Sequence, residues 1–324
     1  MFHGLIRTGL CASALVAALI GASLSQTRAE DYPTKPITMI VPFPPGGGVD
    51  LIGRLVAQRL TAALGQQVIV ENRGGAGGMI GTRDLAKAAP DGYTLGVGTS
   101  GISLGSSAGY DVNKDFSPIG LIASTPILIV SHPSFPAKSL TDVIALAKQQ
   151  PGKLAAGTPP APTINYFAAR LFNLAAGVDI TVVTYKGTAP LTNDVLGNHV
   201  PLGFDTIPAA VSNVQAGQLR AIAVTGPTRS AALPGVPTAA ESGLPGLDAV
   251  IYYGLTAPAG VPRPIIDRLN KELRTMLAAE DFKNHLVSVG DDPAPSTPEQ
   301  YAENIKREEG KWAALVAKLG LKIE

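Results

Sequence analysis

The sequence predicts an α/β fold of two lobes, each a mostly parallel sheet flanked by helices, with two crossover strands joining them. Three observations predict it. Short apolar or β-branched runs alternate with helical patterns along most of the chain, the pattern of parallel sheets covered on both faces. The alternation stops at a long apolar stretch, PIGLIASTPILIVS (118–131), and then starts again. A second apolar run, AVIYYGLTA (249–257), closes the second set.

In the first set, ITMIVPF (37–43), QVIVEN (67–72) and YTLGVGT (93–99) read as strands, because β-branched residues crowd into short runs. Helical spacing fills 49–64 and 79–89 between them. In the second set, helices at 139–149, 163–176 and 188–197 alternate with strands KLAAGT (153–158), DITVVTY (179–185) and PLGFD (201–205), and RAIAVTG (220–226) follows. The Pro- and Gly-rich stretch 226–246 reads as a structured surface loop, since strand patterns flank it closely. The C-terminal segments from PAGVPRPIIDRLNKELRTML onward are mostly helical. The last of them starts on Thr297 as N-cap, Pro298 at the first helical position and Gln300 at the third, and stops at Gly320. Reading both long apolar runs as passages between lobes makes lobe one discontinuous, 30–124 plus 253–324, with lobe two at 125–252. One continuous doubly wound sheet is the alternative on pattern alone.

The first residues stand apart from the fold. Arg7 precedes an uncharged apolar run of 17 residues, TGLCASALVAALIGASL, and Thr27-Arg28-Ala29 supplies small residues at −3 and −1 of a cleavage site before Glu30. That is an export signal, residues 1–29, with periplasmic delivery as its consequence. A membrane anchor is the alternative, but the run is short for a bilayer and lacks a basic stop-transfer cluster. The only cysteine, Cys11, lies inside this segment, so a mature chain has no disulfide, thiolate metal site or cysteine nucleophile. Without Arg7 and Arg28 it carries 24 basic and 25 acidic residues in no basic run, which argues against nucleic acid as a partner.

Glycine-rich loops follow several strands: PPGGGVD (44–50), NRGGAGGMIG (72–81), GTSG (98–101) and YKGTAP (185–190), with GTPPAPTIN (157–165) as a fifth small, polar loop. In open α/β sheets, ligands bind beyond the carboxyl ends of strands, where the first amides of the next helix lack partners and attract anions. Any one such loop is a tight turn by default; five divided between two lobes point to a ligand cleft. GAGGMIG (75–81) is one residue longer than the dinucleotide fingerprint and lacks the expected acid downstream, and no GK[ST] occurs. His132, His199 and His285 are scattered, and GxSxG and metal-spaced carboxylates are missing, so no catalytic residue, metal or cofactor is expected. Asp50 and Asp205 stand where helices start, which dipole stabilisation explains by default, although Asp205 could also hold a ligand's ammonium or a water.

The stretches YPTKPITMIVPFPPGGGVDLIGRLVAQRL, VIVENRGGAGGMIGTRDLAKAAPDGYTL, VVTYKGTAPLTNDVLGNHVPLGFDTIPAA and YYGLTAPAGVPRPIIDRLNKEL resemble, in order, the substrate-binding proteins of tripartite tricarboxylate transporters, the Bug family. The resemblance implies a periplasmic binding protein fold. It implies a monomer that closes on a small organic carboxylate and delivers it to membrane permease subunits. The alternatives are a ligand-sensing partner of a membrane receptor and a cofactor-independent enzyme acting on carboxylates. The resemblance further implies that main-chain amides and waters from loops of both lobes hold the ligand. On this chain those loops carry Phe43, Pro44, Gly46, Gly47, Gly48 and Asp50, then Gly75, Ala76 and Gly77, then Thr99 and Ser100. From the second lobe come Thr158, Thr163 and Asn165, then Lys186, Gly187 and Thr188, and the Asp205-Thr206 corner. Lys186 is read as solvated rather than as a salt-bridge partner. Two departures fall at the cleft. The segment after GTSG is short, and PTINYFAARLF places Thr163, Asn165 and Tyr166 where the family has serines and a histidine.

Overall fold

A computed structural model describes residues 32–100 and 109–321; the expected export segment lies outside them. The chain opens with β1 (Ile37–Val41), α1 (Gly48–Leu64), β2 (Val68–Asn72), a 3-10 turn (Ala76–Gly78), α2 (Met79–Ala86) and β3 (Thr94–Thr99). β1 pairs in parallel with both β2 and β3, and its Ile37, Met39, Ile40 and Val41 are buried, as an interior strand covered on both faces requires.

The first long apolar run is one strand, β4 (Phe116–Ser131). After it come α3 (Leu140–Gln149), β5 (Ala155–Thr158), α4 (Ile164–Ala176), β6 (Thr181–Thr184), α5 (Thr188–Leu196), β7 (Leu202–Thr206), α6 (Ile207–Gln215) and β8 (Arg220–Val224). β5 pairs in parallel with β6 and β7. The second apolar run forms β9 (Val250–Pro258), followed by α7 (Arg263–Ala278), α8 (Glu280–Val289), β10 (Asp292–Pro293) and α9 (Pro298–Leu319).

The strands lie in the order β2-β1-β3-β9-β4-β7-β5-β6, with β8 and β10 also on β4. β4 is therefore shared by two half-sheets. From Phe116 to Pro126 it runs antiparallel to β9; from Ile127 to Ser131 it runs antiparallel to β7 and β8. The expected parallel pairing holds inside each three-stranded set, and antiparallel ladders through β4 and β9 join the two sets. α7 and α9 pack on β4. The ring of Trp312, on α9, stacks on Phe167 of α4 with centroids 5.6 Å apart, so the C-terminal helix reaches the second half. The apolar core is continuous through both half-sheets.

One helix absent from the pattern reading, α6, starts directly behind β7. Its sequence, IPAAVSNVQ, is short, with Pro208 in the first turn and β-branched residues that weaken a helical signal. The last helix starts as expected, with reciprocal side-chain bonds between Thr297 and Gln300, and it ends at Gly320.

Neighbouring strands β3 and β9 place Gly98 opposite Gly254, and the buried Tyr301 of α9 lies across the pair. A methyl group on Gly254 would overlap the Tyr301 ring. Overpacking of this kind costs about 1–3 kcal/mol. Gly254→Ala is therefore expected to lower the urea midpoint at unchanged slope; a midpoint equal to that of the parent would contradict this packing.

Candidate functional site

Four helices begin at one cavity. Their N-cap residues, Gly47 of α1, Thr163 of α4, Gly187 of α5 and Thr206 of α6, all line it. The helices run for 17, 13, 9 and 9 residues. The first amides of a helix have no carbonyl in their own ladder and carry partial positive charge. In α1, α5 and α6 no side chain caps these amides; in α4 the Thr163 hydroxyl accepts from the Tyr166 amide. Among the described residues, no Lys, Arg, His, Asp or Glu lines the cavity. Counting its mouth, it holds about 510 Å³ of atom-free space. Helix starts turned toward a cavity of this kind supply partial positive charge through peptide dipoles, which is the chemistry of an anion site.

The bare loop PPGGGVD has three separate reasons for its glycines. Gly46 has φ +84°, the left-handed region that favours glycine. Gly47 has an ordinary φ of −86°, but a Cβ there would stand 2.7 Å from Thr188 Oγ1, on the second half. A Cβ on Gly48 would stand 2.8 Å from Thr206 Oγ1 and 3.2 Å from the Tyr253 hydroxyl. The loop is thus pressed against the starts of α5 and α6, closer than a side chain allows. Thr206 Oγ1 is buried and has no hydrogen-bond partner within the described chain; the Tyr253 hydroxyl behind it is likewise unpaired.

Of the residues singled out from sequence, Phe43, Pro44, Gly47, Gly48, Thr99, Thr163, Asn165, Gly187, Thr188 and Thr206 come together on this cavity. The others lie elsewhere, each for a definable reason. Gly46 makes the turn, and its amide donates to Asp50 Oδ2 at 2.9 Å. Asp50, 3% exposed, also accepts from Arg54 Nε at 3.0 Å and from Asn72 Nδ2 at 2.8 Å, and Asn72 donates to the Phe43 carbonyl. Burial, the largest influence on its carboxyl, pushes the pKa up, yet the hydrogen bonds from Arg54, Gly46 and Asn72 together hold it below the usual value. Asp50 clamps the loop from behind rather than facing the cavity.

Gly75, Ala76 and Gly77 build the 3-10 turn, where a Cβ on Gly77 would meet Pro162 Cδ at 2.7 Å. That turn abuts the 159–162 loop outside the cavity wall. Ser100 accepts from the Tyr252 amide at 3.2 Å and faces a neighbouring cavity between β3, β9 and α9. Thr158 is buried and donates to the Pro159 carbonyl; Lys186 is exposed. Asp205 is fully buried under the cavity floor, accepting from Thr192 Oγ1 at 2.6 Å and from the Thr206 amide at 2.7 Å. Burial pushes its pKa up to about 7, against the opposing pull of those two donors.

The remaining walls are apolar: Val49, Pro159, Ile164, Ala189 and Pro190 lie within loops marked from sequence but were not singled out, and Ile251 lies outside those loops. Val49, Ile164, Ala189 and Pro190 fall in the first turns of their helices, so the N-cap positions carried a signal for them. Ile251 belongs to β9 and carried none.

The family model of the tripartite tricarboxylate transporter family receptor matches residues 52–321. The chain is 37% identical over 302 residues to protein BugT of Bordetella pertussis, covering 91% of this chain and 93% of that one. Among solved structures, R. palustris Rpa4515 with adipate is similar at 34% identity and a TM-score of 0.87, covering 90% of this chain and 99% of that one. The periplasmic binding protein BugD is similar at 34% identity and a TM-score of 0.85, again covering 90% and 99%.

The buried Asp205 makes a prediction with a definite sign. Its folded pKa of about 7 lies above the ordinary value of 3.8, so the folded state binds more protons than the unfolded state between those limits. Stability from this group is greatest below the unfolded pKa and falls as pH rises from about 4 to about 7. Asp205→Asn removes that component, while Asp291, whose pKa burial also raises, remains. The urea midpoint of the variant is expected to fall less over that range than the parent's. Superimposable pH profiles would contradict the assignment.

Proposed function

The chain belongs to the tripartite tricarboxylate transporter receptor family, and from that premise we propose that it takes up a small organic carboxylate between two closing lobes and delivers it to the membrane subunits of a tripartite transporter. The family is one of substrate-binding receptors, and the related BugD is a periplasmic binding protein. The proposal includes export to the periplasm with cleavage before Glu30, and action as a monomer. The proposed lobes are 30–124 with 253–324, and 125–252, with β4 and β9 as the connections that flex.

One observation carries this reading: four helix N-termini, one from the first lobe and three from the second, meet at a cavity that no charged side chain lines among the described residues. A related protein was solved with adipate, a carboxylate. Hydrogen bonds from amides to an ionised carboxylate contribute about 1.5–3 kcal/mol each. A few of them, with apolar contact from walls such as Phe43 and Ile251, reach the −8 kcal/mol or so of a micromolar complex. The anion bridges α1 on one side and α5 and α6 on the other, so binding and closure are one event.

Two experiments test this. In a thermal-shift screen against a carboxylic-acid panel, a true ligand at a hundred times its dissociation constant adds about 2.7 kcal/mol of stability; a panel without any shift would count against the reading. In Gly47→Leu, the new side chain enters the space held by Thr188 Oγ1 and keeps the lobes apart. Calorimetry is expected to detect no binding, while the unfolding midpoint of the unliganded variant moves little. Unchanged affinity would contradict the role given to this loop.

A further inference from the structure

Resting on the closing movement proposed above, we infer that Thr225 is the positioning residue of that movement: it joins the two connecting strands where both leave the first half, so that they bend at one place and together. The pivot lies where β4 changes partners. As far as Pro126, β4 is laddered to β9, and the last pair is Pro126 with Val250. From Ile127 onward it is laddered to β7 and β8. Proline has no N–H to give to either ladder and is rare inside a sheet. The connection is therefore weakest in main-chain bonds at the point where the two ladders meet. Hinges need only a few positions of this kind, at the ends of elements.

Just past that point Thr225, the residue after β8, bonds to both connections. It is 1% exposed. Toward β4, its amide donates to the Ile127 carbonyl at 2.9 Å, and its hydroxyl accepts from the Ile127 amide at 3.0 Å. Toward the start of β9, the same hydroxyl donates to the Ala249 carbonyl at 2.6 Å, and its carbonyl accepts from the Ala249 amide at 3.2 Å. A hydroxyl gives one proton and can accept another, so one oxygen serves both strands. Without it, Ile127 and Ala249 keep one long direct bond, from the Ile127 amide to the Ala249 carbonyl at 3.4 Å. The chain leaves past the proline through Gly226, where a Cβ would stand 3.0 Å from Pro126 Cβ.

This pivot adjoins the cavity on both sides. Ile127 is the ladder partner of Thr206, the N-cap of α6, and Val250 precedes the wall residue Ile251. Two connections bending independently would let Ile251 slide past Thr206 as the halves move. Tied through Thr225, they turn as one, and the helix start of the first half meets those of the second along a fixed path.

The test is the distance between the halves in the unliganded mature protein. The chain from Glu30 onward holds no cysteine, so Ala63→Cys on α1 and Lys148→Cys on α3, both exposed positions, take one spin label each. Pulsed electron resonance then reads the distance distribution. Thr225→Val removes the hydroxyl while keeping the branch at Cβ, and is expected to widen the distribution beyond the parent's. Thr225→Ser keeps the hydroxyl but loses a buried methyl, so the unfolding midpoint is expected to fall while the distribution stays as narrow as the parent's. A valine distribution equal to the parent's, or a serine distribution as wide as the valine one, overturns the inference. Should the valine variant fail to fold, hydrogen exchange decides. The amides of Ile127 and Ala249, relative to core amides of the second half, are expected to exchange equally in the parent and in Gly47→Leu; faster exchange in Gly47→Leu means that the bridge opens with the lobes and overturns the inference. Gly47→Leu in the labelled pair tests the movement itself, with a longer mean distance expected. No lengthening overturns the closing movement and this inference with it, whereas lengthening beside an unaltered Thr225→Val overturns this inference alone.

Discussion

A helix cannot satisfy its own first amides, and this molecule aims four such starts into one space. The rest of the structure follows from that constraint. Each start needs a strand end behind it to fix its position, so β1, β5, β6 and β7 each deliver a helix or a loop to the same side. Three of them are uncapped: glycine stands at the N-cap of α1 and α5, and the hydroxyl of the Thr206 cap is left without a partner, while in α4 the Thr163 hydroxyl takes the Tyr166 amide. Among the described residues no cationic side chain lines the cavity, so the positive ends of the helices stand there without lysines or arginines.

The glycines serve two ends at once. They uncover amides, and they allow the loop of the first half to press on the second. Gly47 against Thr188 and Gly48 against Thr206 leave no room for a Cβ. The polar residues around the loop serve its shape. Asp50, Arg54 and Asn72 form a closed set of hydrogen bonds that spends its charge on holding residues 43–46. Below the floor, Asp205 accepts from the Thr206 amide and does not line the cavity. Both acids thus look inward at protein donors, and the cavity keeps a single electrostatic character.

Much of this was legible in the sequence. The alternation of strand and helix patterns located the parallel sets, and the two apolar runs located β4 and β9, because a strand buried on both faces must be apolar throughout. The glycine loops marked the strand ends that meet at the cavity. What the sequence left hidden depends on distance in space. Gly75 to Gly77 share the composition of Gly46 to Gly48 yet abut another loop, and composition does not encode which turn faces the gap. Asp50 and Asp205 were legible as candidates, but their partners, 22 residues away in Asn72 and 13 away in Thr192, were not. The helix α6 escaped notice because IPAAVSNVQ is too short for a periodic signal, and Thr206 as its cap gained meaning only with it. Ile251 became a wall because β9 runs between the two halves.

The account stands or falls on whether peptide N–H groups from both halves grip one anion. Amide-resolved nitrogen-15 NMR, with the tightest acid from the thermal-shift panel added to saturation, measures that directly. The amides of Gly48 and Val49 in α1 and of Thr188 and Ala189 in α5 are expected to move together, along one titration curve, with a change in the sense of a stronger hydrogen bond. Perturbation confined to one half, or to amides away from these helix starts, would contradict the account.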